Sequence, residues 1–224
     1  MLGMMGLLPF FAGILWHMLG SMGVLMRLRI WLGVLVLLLS GAGSLAQSEY
    51  FPPGTLAADP SDQEFLSTWY TQQFDALQEP SLWALSKAQR EQSYRFVWLR
   101  TFHHPVAIRI DLRADGTSRL TTKMTSGAGG YKPGHLVQND KSTLTKAQTE
   151  LFLKKIEGNK FWDLEGIEKS TPGNDGAQWI IEGVKNGKYH VVTRWTPRDG
   201  PIRAIGLFML QDLAKLKIPN DEMY

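Results

Sequence analysis

The chain has 224 residues, 24 basic against 21 acidic, a formal net charge of +3 and no cysteine. This near balance, with no Lys/Arg cluster interleaved with aromatics, argues against nucleic acid as a partner. The missing cysteine excludes disulfides, iron–sulfur clusters, thiol catalysis and a lipoprotein anchor, and it limits metal sites to His, Asp and Glu ligands.

Residues 1–46 carry two charged side chains, Arg27 and Arg29, and no acid. The two arginines, the apolar run Ile30 to Leu39 and the small-x-small triplet Ser44-Leu45-Ala46 have the order of an export signal cleaved before Gln47. A helix over Ile30–Leu39 rises only about 15 Å, half of a hydrocarbon core of roughly 30 Å, so cleavage is expected rather than a permanent anchor. Met1–Met26 is also apolar and precedes an already complete signal, which points to initiation at Met26. Read literally, that stretch is long enough to span a bilayer, so membrane attachment is expected only through an uncleaved N-terminal segment.

Residues 47–59, rich in Pro, Gly, Ser and Ala, read as a linker, leaving 60–224 as a single domain. Folding is expected to begin near Pro60. A helix follows with Ser61 and Glu64 as a capping box, an apolar stripe of Leu66, Tyr70, Phe74 and Leu77 widened by Phe65 and Trp69, and a stop at Glu79-Pro80. Ser81–Gln92 is a second short helical or irregular segment with Trp83 and Leu85 turned inward. Tyr94–His104, dense in aromatic and β-branched residues, reads as a strand ended by Pro105. Val106–Arg113 alternates strictly between apolar and polar residues. Asp115-Gly116 then turns the chain, and patterning favours a three-residue loop with Gly116 left-handed, aligning Ile110 with Leu120 and Asp111 with Arg119.

The glycine-rich loop Ser126–Gly134 lacks a following Gly-Lys-Ser/Thr and a helix start, so it reads as a tight connection rather than an anion cradle. Leu136–Leu144 is expected as an edge strand. Thr145 with Gln148 opens a helix carrying Ala147, Leu151, Phe152 and Ile156, ending at Gly158. A loop over 170–176 leads into Asp175–Trp195, a β-hairpin whose Asn186-Gly187 turn sets Val184 opposite Tyr189, Glu182 opposite Val191 and Trp179 opposite Arg194. Pro201 starts the last helix, with Ile202, Ile205, Met209, Leu213 and Leu216 as its inner stripe. Hairpins and helices do not alternate as βαβ units. The expected class is α+β, an antiparallel sheet built from hairpins with helices packed mainly on one face.

Chemistry-bearing residues are few. No Gly-x-Ser-x-Gly elbow, His-x-His or His-Glu-x-x-His spacing occurs. Glu182, inside a strand, is the most suggestive acid; Arg109 or Arg100 on a neighbouring strand would make it a structural ion pair instead. His104 and His190 are weak candidate metal ligands, and with Glu182 they define the enzyme alternative, a small hydrolase or metal-dependent enzyme. The candidate binding surface is the hairpin face bearing Trp179, His190 and Arg194, where Arg194 would stack on Trp179 and Gly183 would leave room for a ligand. The competing reading of that face is core.

The segments YRFVWLRTFHHP, DGAQWIIEGV and YHVVTRWTP resemble exported proteins of Gram-negative bacteria to which no activity is assigned, over roughly the last 130 residues. The resemblance implies an envelope location, periplasmic or secreted, and carries over no site residue. The expectation is an exported cell-envelope domain that binds an envelope ligand or protein without catalysis. No cofactor is implied.

Overall fold

A computed structural model of the chain describes residues 50–88, 92–167, 173 and 175–224. The export signal expected over 1–46 and most of the 170–176 loop lie outside these residues.

Local chemistry places each element. Helix α1 (Pro60–Ala76) is capped two residues earlier than the Ser61/Glu64 box implies: Asp59 accepts from the backbone N–H of Ser61 and Asp62, and Pro60 takes the first helical turn. Gln78, left-handed at φ 52°, ends that run, and Ser81 caps the short α2 (Leu82–Lys87). The strands are β1 (Ser93–Arg100), β2 (Val106–Leu112), β3 (Ser118–Thr125) and β4 (Leu136–Leu144). Helix α3 (Lys146–Gly158) starts at the expected Thr145/Gln148 capping box. A 3-10 turn at Phe161–Asp163 leads towards β5 (Ala177–Lys185) and β6 (Lys188–Trp195), and α4 (Gly200–Leu207) runs on into a π-helical stretch, Phe208–Leu213.

The six strands form one antiparallel sheet in the order β4-β3-β2-β1-β5-β6. Both hairpin registers are those expected. Ile110 faces Leu120 and Asp111 faces Arg119, with Gly116 at φ 84°. Val184 faces Tyr189, Glu182 faces Val191 and Trp179 faces Arg194, across a turn with Asn186 at 52° and Gly187 at 74°.

The class is α+β with an antiparallel sheet, and helices cover both of its faces. On one, Tyr94, Phe96, Trp98, Ile108, Ile110, Trp179, Ile181 and Val192 pack against α3 and α4. On the other, Val97, Leu99, Ala107, Ile180 and Val191 meet α1 and the segment before it. That segment corrects the linker expectation over its described part: Tyr50, Phe51 and Leu56 are each 3% exposed and belong to the second cluster. Its Pro and Gly content shapes a strap that runs across the sheet, and Tyr50 anchors it by donating to Asp75 and to the Glu79 carbonyl.

The glycine-rich loop is a bracket. The N–H groups of Gly127, Ala128, Gly129, Gly130 and Tyr131 all bond to backbone carbonyls, which leaves those donors unavailable to an anion. A Cβ at Gly129 would sit 2.6 Å from the Leu99 backbone, so glycine is required by close approach.

Candidate functional site

Pairing of β1 with β5 sets the electrostatics of the second face. Arg95 lies directly across from Glu182, both fully buried. Nε and Nη2 of Arg95 donate to Glu182 Oε2 at 2.8 and 2.6 Å, while the Tyr189 hydroxyl donates to Oε1 at 2.8 Å. Arg95 Nη1 donates to the Pro80 carbonyl at 2.6 Å and lies 3.4 Å from Glu79. Glu79 is brought down onto the sheet by the left-handed Gln78, and there it also meets Arg109 at 3.0 Å and Lys123 at 2.8 Å. Arg109 in turn pairs with Asp111 at 2.6 Å.

Three cations therefore face three carboxylates, and each pKa follows from its place among them. Burial pushes Glu182 up, and Arg95 and Tyr189 offset this only in part. Burial also opposes ionisation of Glu79, but Arg95, Arg109 and Lys123 outweigh it and hold that carboxyl below the ordinary value. Burial pulls down on Arg95, yet the Glu182 and Glu79 carboxylates outweigh it and keep the guanidinium charged. Burial, reinforced by Glu182, raises Tyr189 well above 10, so the phenol remains a donor. Both Glu182 oxygens are thus engaged, and the acid is an enclosed ion pair whose partner is Arg95 rather than Arg109 or Arg100.

The residues of the enzyme alternative do not converge. Glu182 and His190 point to opposite faces of the β5–β6 hairpin, and His104 sits beyond the end of β1 with Nδ1 2.8 Å from the Gly127 carbonyl. Among the described residues no group of three His, Asp or Glu is placed to hold a metal.

The hairpin face proposed for binding is core. Trp179 is 0% exposed, packed on Phe96 and Trp98 with ring centroids at 5.1 and 5.5 Å. Helix α4 presses so close that a Cβ at Gly206 would lie 2.5 Å from the Trp179 ring. Gly183 leaves no ligand space, since Phe161 and Tyr94 fill the volume above it. The cation over Trp179 is Arg203, while Arg194 donates to the carbonyls of Glu165 and Gly166 and ties that segment to β6. The physical reason is the wide apolar stripe of the last helix, which needs an apolar sheet face opposite it.

His190 packs against Phe161 and Trp162, and burial lowers its pKa, with the Leu164 and Phe161 carbonyls opposing. It also lines a groove of about 670 Å³ beside β6, together with Tyr189, Val191, Trp83, Pro52, Ala58 and Ile167. Tyr189 and Trp83 meet edge to face at 5.9 Å in this wall. The Trp83 Nε1–H is buried without a hydrogen-bond acceptor among the described residues, although an indole N–H is a donor that buried sites normally satisfy. The sequence marked Trp83 only as turned inward. The groove was not legible because it needs the strap, α2 and the edge strand brought together.

No family model matches the chain, and no curated protein matches it.

Proposed function

We propose that the chain is an exported cell-envelope domain that binds a small apolar ligand, non-catalytically, in the groove beside β6. The observation that carries the reading is the groove itself: about 670 Å³, walled by Trp83, Tyr189, Val191 and Pro52, with the unpaired Trp83 indole N–H in a side chain of its wall. Volumes of roughly 300–1,000 Å³ with apolar walls and few polar anchors are those of small-molecule sites. The preferred ligand has an aromatic or aliphatic body and one acceptor for the Trp83 N–H. Export rests on the Arg27-to-Ala46 pattern.

The test uses 8-anilinonaphthalene-1-sulfonate, an apolar ring system bearing an acceptor. The native chain should bind it saturably, and Trp83→Ala, at a partly exposed position, should weaken binding at least tenfold while keeping a cooperative melt. Equal binding by both proteins would overturn the assignment. For export, the intact mass of the envelope species should correspond to a chain starting at Gln47.

A further inference from the structure

The cross-strand pair Trp98 and Trp179, neighbours on β1 and β5, does more than fill the core. Both indole N–H groups converge on one atom, the Tyr224 carbonyl oxygen, at 3.0 and 3.1 Å. Around them, Arg100 Nη1 donates to the Glu222 carboxylate at 2.7 Å, Arg203 Nη2 reaches the Met223 carbonyl at 3.3 Å, and His103 Nδ1 lies 2.8 Å from the Tyr224 hydroxyl. This constellation is a receptor made largely of donors, two indoles and two guanidiniums, held on the sheet and α4. Segment 219–224 supplies the matching oxygens.

The segment behaves geometrically as an occupant. None of residues 214–224 is buried, and within it the N–H groups of Glu222 and Met223 turn back on Pro219 and Asn220. Its hold on the rest of the fold includes side chains that reach out to it. One donor stays unused: Arg100 is 3% exposed, and its Nε is buried without a hydrogen-bond partner. A segment with another oxygen at that point would fit the receptor better than residues 219–224 do. The Arg100 guanidinium on the Glu222 carboxylate, with His103 Nε2 3.7 Å from the same oxygen, also makes the receptor complementary to an acidic segment.

We propose that Trp98, Trp179, Arg100, Arg203 and His103 form a recognition site for an acidic peptide carrying a carboxylate two residues before an aromatic, and that segment 219–224 occupies it in cis. This site is separate from the groove beside β6. A tethered occupant acts at an effective concentration on the order of millimolar, so a partner peptide gains access when the contacts of Glu222 and Tyr224 are weakened or outcompeted.

The experiment uses the full chain and a fluorescein-labelled peptide with the sequence of residues 216–224, followed by anisotropy. The double variant Glu222→Ala, Tyr224→Ala should keep a cooperative melt and bind the peptide at least tenfold more tightly than the native chain. A peptide with Gln in place of its Glu should bind that variant at least tenfold more weakly, which tests the Arg100 contact without altering the receptor. Three results would overturn the proposal: equal peptide affinity of the two proteins, indifference to the Glu-to-Gln change, or loss of the cooperative melt in the double variant. The last would make the segment an integral part of the fold.

Discussion

The two faces of the sheet solve the same problem with different chemistry. Under α3 and α4 the sheet is covered by rings and aliphatic side chains, Trp98 and Trp179 at 0% exposure among them, and the association is non-directional. Under the strap and α1 the contact includes the Glu79–Arg95–Glu182–Tyr189 chain with Arg109 and Lys123 at its flank. Taking charges out of water offsets most of what their attraction returns, so the second face contributes placement more than net stability. Arg95 illustrates this: its donors end on Glu182, Glu79 and the Pro80 carbonyl, which fixes where the chain leaves α1 relative to the sheet. A purely apolar face would permit sliding that these bonds forbid.

Truncation should hit both faces hard for different reasons. Trp179→Ala removes a fully buried ring and should cost about 3–5 kcal/mol; Arg95→Ala leaves Glu182 buried and unpaired and should cost about 3–5 kcal/mol as well. Denaturant melts measure both. The comparison sharpens with the double variant Arg95→Met, Glu182→Met, which removes both charges together. It should recover most of the Arg95→Ala loss, because replacing a buried pair by apolar groups is often neutral or stabilising by about 1–4 kcal/mol. If the double variant is no better than Arg95→Ala, the network is a source of net stability and the contrast between the faces disappears.

Titration separates the faces next. On the second face Glu79 is depressed below its ordinary 4.5; a carboxyl with a lowered folded pKa supplies stability that is complete above about pH 4.5 and is lost as pH falls through the folded value. Glu182, raised by burial, has the opposite sign: protonation on acidification favours the fold and partly counters that loss. On the first face His190 is depressed below 6.5, so its contribution is complete above about pH 6.5 and declines as pH falls below it. Melting temperature against pH should therefore show two descending limbs. His190→Phe should remove the upper one and Glu79→Gln the steeper part of the lower. An unchanged upper limb in His190→Phe would assign it to another group.

What the sequence disclosed and what it hid divide along the length of the interaction. Both hairpin registers were legible because the turn chemistry is local: Asn186-Gly187 accepts positive φ at both positions, and Asp115 accepts from the Thr117 N–H at 2.8 Å. The Thr145/Gln148 capping box was legible for the same reason. Arg95 and Glu182, 87 residues apart, meet only once β5 returns to pair with β1, and nothing near either residue announces that pairing. The groove and the donors around segment 219–224 are likewise products of tertiary assembly. The burial of Trp179 was legible as the competing reading of its face, since the stripe of Ile202, Ile205 and Met209 needed an apolar sheet face and Trp179, Ile181 and Val192, each 0% exposed, supply one. Phe65, read as widening the stripe of its helix, and Leu151, one of the apolar residues carried by the next long helix, are 64% and 55% exposed, because each lies at the margin of its helical stripe.

The smallest effect tests whether a turn contributes to either face at all. Gly116 closes the β2–β3 hairpin at φ 84°, and a Cβ built there would meet the Lys146 side chain only at 3.5 Å, an ordinary contact. Sterics from the surroundings are therefore not the obstacle; the backbone conformation is, since alanine is penalised in the left-handed region. Gly116→Ala should cost about 1 kcal/mol. Gly116→Asn should cost less, because asparagine tolerates positive φ. The register keeps Ile110 on the apolar face and Asp111 on the charged one, and a one-residue slip would exchange them. A neutral Gly116→Ala in a denaturant melt would mean that the turn is dispensable and that the two faces alone hold this register.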